Sequence, residues 1–254
     1  MNLFTLGHDY LFILILGMAR ILPIALFLPW FNTQVLGGMI VKNVVVFFII
    51  TGFFPFLSVQ YSAVSNDMIV AALVQEVVIG LICGLCLSLP FWIAMAIGEI
   101  IDNQRGATIS STMNPGVGVE TSIYASFMNY FYGATFLLSG GMVTVCRAIA
   151  KSYQIFPIAQ HFNFNKELAL HCAHLLNELM TRAVILIGPV LIGLFITECA
   201  LGLLSRFASQ LNAFSVSLSL KSAVAIFILL FYLTPLLMPQ IININIIELL
   251  PGRP

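Results

Sequence analysis

Apolar side chains fill this chain in long runs that charged residues do not enter. Residues 43–66, 77–98, 121–146 and 222–247 contain no Asp, Glu, Lys or Arg. These runs are 22 to 26 residues long, and a helix needs about 20 to cross the hydrocarbon core of a bilayer. Two further segments carry one interior charge each, Leu11–Trp30 around Arg20 and Ala183–Leu204 around Glu198. A β-barrel would alternate polar and apolar positions over about ten residues, whereas these segments are apolar on every face. The pattern predicts an all-α integral membrane protein with about six long apolar helices.

Composition agrees. Of 254 residues, 60% are hydrophobic and only 8% charged, against about 25% charged in an average soluble domain. Disordered chains lack apolar residues and carry excess charge, so disorder is excluded too. Ten basic residues balance ten acidic ones, which leaves no positive field for nucleic acid. The amino terminus, MNLFTLGHDY, lacks the basic stretch and cleavage site of a secretory signal, and its first apolar segment is expected to be retained. Basic loop residues fall about equally on the two sides. Arg147, Lys151, Lys166, Arg182 and Arg253 stand against Lys42, Arg105, Arg206 and Lys221, so charge assigns no orientation.

Proline enters most spans, at Pro23, Pro29, Pro55, Pro90, Pro189, Pro235 and Pro239. Each removes a backbone hydrogen bond, and broken helices are expected. Gly80 and Gly84 form a GxxxG pair, and Ala94 with Gly98 repeats the spacing, which suits close helix packing.

Candidate chemistry is sparse. Cys83 and Cys86 make a CxxC inside an apolar span, without the second ligand pair that zinc requires. Packing explains them better. Five cysteines make an odd number, which argues against a disulfide framework. Glu167, His171, His174 and Glu178 share one helical face, but a solvated amphipathic face explains them better than a metal site. No nucleophile elbow, P-loop or dinucleotide fingerprint occurs, so no catalytic residue, cofactor or metal is assigned. Arg20, Glu76 and Glu198 are intramembrane charges, best read as polar glue between helices or subunits, with Arg20 paired to one carboxylate and partners also expected on other chains.

The segment from 98 to 122 reads GEIIDNQRGATISSTMNPGVGVETS. Asp102 and Arg105 are three apart, side by side at a helix end. Beyond them the chain turns to small uncharged residues with an Asn114-Pro115-Gly116 turn signal. The block Ile101-Asp102-Asn103-Gln104-Arg105-Gly106-Ala107-Thr108 with Asn114-Pro115 resembles the T subunit of the type III secretion export apparatus (SctT/SpaR, flagellar counterpart FliR). Ala19-Arg20-Ile21-Leu22-Pro23, Leu28-Pro29-Trp30-Phe31-Asn32 and the stretch from Glu198 through Gly202-Leu203-Leu204-Ser205-Arg206-Phe207 to Lys221 carry the same likeness. It covers nearly the whole chain and is nearer the injectisome branch than the flagellar one.

The resemblance implies a structural, pore-forming subunit that passes unfolded proteins across the bacterial inner membrane, without catalysis. The fold it implies fuses an R-like half, residues 1–150, to a loop and S-like helical hairpin, residues 151–254. Its implied partners are five R and four S subunits around one copy, the switch subunit U, the export gate subunit V and the inner rod and needle proteins. Packing in that assembly would lift the helices toward the periplasm. Gly106, Ser110, Ser111, Met113, Asn114, Pro115, Gly116 and Gly118 would belong to a channel plug rooted at Asp102, Gln104 and Arg105. Gln210, Asn212, Ser217 and Lys221 would form a hairpin tip. The alternation from Phe214 to Lys221 is itself a strand signal, so a turn with a short extended segment, packed on the next subunit, is expected there. A small-solute secondary transporter is the alternative, but it would need an inverted repeat, and none is seen.

Overall fold

The computed structural model describes residues 3–31, 37–61, 69–106, 122–158, 166–207 and 213–242. Helices dominate, as the apolar runs predict. They are α1 (Leu3–Phe27), α2 (Met39–Tyr61), α3 (Ile69–Gln104), α4 (Ile123–Leu138), α5 (Gly141–Ile155), α6 (Lys166–Phe207), α7 (Ala213–Tyr232) and α8 (Met238–Ile242). A short 3-10 turn at Pro29–Phe31 follows α1, and a π-helical turn at Leu233–Leu237 joins α7 to α8. α1, α2, α3 and α6 each contain a stretch long and apolar enough to cross a membrane, and α4 with α5 makes a fifth if counted as one broken span. The break falls at Gly140, whose φ of 80° is a left-handed conformation that suits glycine.

Two details differ from the sequence reading. Pro23, Pro55, Pro90 and Pro189 lie inside continuous helices rather than ending them. One missing N–H leaves the rest of the ladder intact, and a surrounding bundle tolerates it. The alternating stretch from Phe214 to Lys221 is helical, within α7. Ser222, the residue that follows this stretch, satisfies its hydroxyl within the helix by donating to the Leu218 carbonyl at 2.9 Å.

The chain divides into two compact units. The first holds Met1–Leu89, Ser139–Leu176 and Asn245–Pro254. Small residues set its packing. A β-carbon at Gly17 would meet Ile50 and Leu57 of α2 at 2.9 Å, and one at Gly84 would meet Ile24, Pro23 and Phe27 of α1. Tyr10 stacks on Phe54 with ring centroids 5.0 Å apart. The second unit holds Pro90–Leu138 and Asn177–Ile244. In it Phe91 meets Tyr132 and Phe136 edge-on at 4.9 and 5.3 Å, and Gly98 lies against the backbone of Ala125. Apolar side chains such as Phe48 on α2 and Phe195 on α6 are exposed, a surface that needs lipid or a neighbouring subunit to cover it.

Candidate functional site

The last turn of α3 and the first of α4 bracket residues 107–121, and one carboxylate holds both ends. Asp102 Oδ1 accepts from Arg105 Nε at 2.6 Å and pairs with Nη2 at 2.5 Å. Its other oxygen, Oδ2, accepts from the Ser122 hydroxyl and from the Tyr124 backbone N–H at 2.9 Å. Ser122 in turn caps α4, its Oγ accepting the Ala125 N–H at 3.1 Å. The Arg105 guanidinium also lies over the Tyr124 ring, 4.9 Å from its centroid. Asp102 is 3% exposed, so the group is shielded from water and its hydrogen bonds gain accordingly.

Gly106 is the stop signal of α3. Its φ is 83°, and its N–H donates to the Asn103 carbonyl at 3.1 Å, the left-handed glycine that commonly follows a helix. Gln104 sits exposed on the last turn. Ser110, Ser111, Met113, Asn114, Pro115, Gly116 and Gly118 lie outside the described residues, as do Gln210 and Asn212. Replacing Asp102 by asparagine removes the charge and half of these acceptors. Since a hydrogen bond to a charged group contributes about 1.5–3 kcal/mol, Asp102→Asn should lower the melting temperature of the detergent-solubilised complex. Thermal unfolding checks this, and an unshifted midpoint would show that the root is held by other contacts.

In the first unit the intramembrane charges meet each other. Arg20 Nε and Nη2 bind the two Glu76 oxygens at 2.6 and 2.7 Å, a bidentate fork. Nη2 also reaches the Phe156 carbonyl at 2.8 Å, and Nη1 the Ser152 hydroxyl at 3.4 Å. The Tyr153 ring covers the guanidinium at 3.9 Å. Both ionised side chains are fully buried. Arg20 is thus paired to one carboxylate, as expected, and the further expectation of partners on other chains is corrected for this pair: α1, α3 and the end of α5 supply them.

A model of the family described as bacterial export proteins, family 1, matches residues 11–245. The chain belongs to this family. Similar proteins include SpaR, the surface presentation of antigens protein, of Shigella sonnei, 42% identical over 87% of this chain and 85% of that one. SpaR of Salmonella typhimurium is 37% identical over 91% and 86%. Yop proteins translocation protein T of Yersinia pestis is 30% identical over 84% and 82%. This export-family chain is thus a multi-pass membrane component of a type III secretion apparatus.

The third intramembrane charge of the family member also pairs internally. Glu198 on α6 meets Lys221 on α7 at 3.1 Å, with the carboxylate 61% exposed and the ammonium 10%. Ser217 is half-buried on the same helix. Elsewhere Glu178 pairs with Arg182 along α6, and His174 is exposed. Cys83 and Cys86 are buried and free, and no His, Cys, Asp and Glu cluster fit for a metal occurs among the described residues. Sequence reasoning missed Ser122, Tyr124, Ser152, Tyr153 and Ser222. Only Ser122 carried a local signal, a serine immediately before an apolar helical run.

Proposed function

We propose that this chain is a structural, pore-forming subunit of the export gate, passing unfolded proteins across the bacterial inner membrane without catalysis of its own. In this reading it stands with R and S subunits, the switch subunit U, the export gate subunit V and the inner rod and needle proteins. Its R-like half is residues 1–150 and its S-like hairpin lies in 151–254. Packing in that assembly lifts it toward the periplasm. Residues 106–120 are the plug, and Gln210 and Asn212 belong to the hairpin tip that faces its partner, whereas Ser217 and Lys221, expected at that tip, lie along α7 with Lys221 turned to Glu198. A pore wide enough for an unfolded chain leaks when idle unless something displaceable fills it.

One observation carries the reading: Asp102 ties together the two ends of segment 107–121. A segment free of charge from Gly106 to Val119 can be pushed aside by substrate, while an anchor at both ends returns it to the same place. Removing residues 107–118 should leave the complex assembled and raise its ion conductance in a planar bilayer. Co-purification with two smaller hydrophobic partners reports assembly. Assembled complexes that stay as tight as the parent would sink the plug.

A further inference from the structure

We propose that Ser222 is a positioning residue that ties α7 to the root of segment 107–121, so that the helix and the root move together. It is bonded to the root through both side chain and main chain. Its hydroxyl donates to the Leu218 carbonyl at 2.9 Å, which leaves its lone pairs to accept Arg105 Nη1 at 3.2 Å. Its carbonyl accepts the Tyr124 hydroxyl at 3.3 Å. Arg105 directly follows α3 and Tyr124 lies in the first turn of α4, so one residue of α7 holds both flanks of segment 107–121. The guanidinium is divided accordingly, with Nε and Nη2 on Asp102 and Nη1 on Ser222.

The preceding residue strengthens the tie. Lys221 is nearly buried and pairs with Glu198 of α6. Two successive residues of a helix with no charged residue besides Lys221 are thus bonded to different neighbours. Sliding or turning α7 would break both contacts at once and take an Arg105 donor and the nearly buried Lys221 ammonium from their partners. A pull on the segment before α7 is therefore felt at Arg105 and Tyr124. The functional consequence, a leak, rests on the plug reading above; the tie itself does not.

Valine and threonine have the same shape and differ by the hydroxyl. A nitroxide introduced at exposed Gln104 through a genetically encoded handle leaves the five native cysteines untouched and reports root mobility in the assembled complex. Ser222→Val should raise the mobile fraction about tenfold, the shift expected on losing a hydrogen bond to a charged group, and should raise conductance. Ser222→Thr should resemble the parent, and so should the control Ser219→Val on the exposed side of α7. An unchanged Gln104 spectrum in Ser222→Val overturns the tie. A mobile root in a tight complex, where removal of 107–118 does leak, overturns the coupling of root to pore. A mobile root where removal of 107–118 fails to leak leaves the tie standing and defeats the plug instead.

Discussion

Replacing Glu76 by glutamine should prevent the folded chain from accumulating in the membrane. The substitution is nearly isosteric, so its effect isolates charge. Arg20 is 0% exposed, and with the carboxylate gone it becomes a buried cation whose remaining acceptors are the Ser152 hydroxyl, the Phe156 carbonyl and an amide oxygen. Breaking a buried pair by removing one partner costs about 3–5 kcal/mol, and a whole domain is stable by only about 5–15 kcal/mol. Arg20→Lys should be nearly as harmful, because an ammonium cannot present the two parallel N–H groups that the Glu76 carboxylate receives. Removing both charges, as Arg20→Met with Glu76→Met, should recover much of the loss, since no uncompensated ion is left behind. Abundance in washed membranes and the melting temperature in detergent measure all three. If the single variants melt with the parent, the pair contributes nothing to the fold.

That ion pair also marks the boundary of what the chain reveals as a sequence. The apolar runs led to the helices because length and absence of charge are local properties, and the conformation follows from a bilayer's demand for satisfied backbone groups. Asp102 and Arg105 were legible for the same reason: three residues apart on one helix is a contact by geometry. Ser222 was not, because 117 residues separate it from Arg105 and no periodicity spans that distance. The pairing of Arg20 with Glu76 was half legible. A buried charge calls for a counterion, but spacing cannot say which chain supplies it. The alternation before Lys221 misled because period two shows a strand only where one face is wet; α7 has apolar neighbours such as Val216 and Leu220 on its exposed side. The resemblance put Gly106 in the plug, and its left-handed backbone makes it the stop that follows α3.

Adding one methyl group at Gly98 should unhook the root of segment 107–121. A β-carbon there collides with the backbone N and Cα of Ala125 and lies 2.5 Å from the Tyr124 carbonyl carbon. These are main-chain atoms, which no change of rotamer relieves. α4 must move away from α3, and the Tyr124 N–H then leaves Asp102, with the Arg105 stacking on the Tyr124 ring lost as well. Overpacking a tight contact costs about 1–3 kcal/mol where side chains can adjust, and backbone contacts place Gly98→Ala at or above the top of that range. Gly188 and Gly202 on α6 are the controls, since nothing stands within 4 Å of a β-carbon at either. Alanine in a helix interior is favoured over glycine by about 0.8–1.0 kcal/mol, so Gly188→Ala and Gly202→Ala should match or exceed the parent in melting temperature. Gly98→Ala should fall well below them, and the nitroxide at Gln104 should turn mobile. Equal midpoints for Gly98→Ala and Gly188→Ala would mean that α3 and α4 can separate freely, and that their close approach does not hold the root.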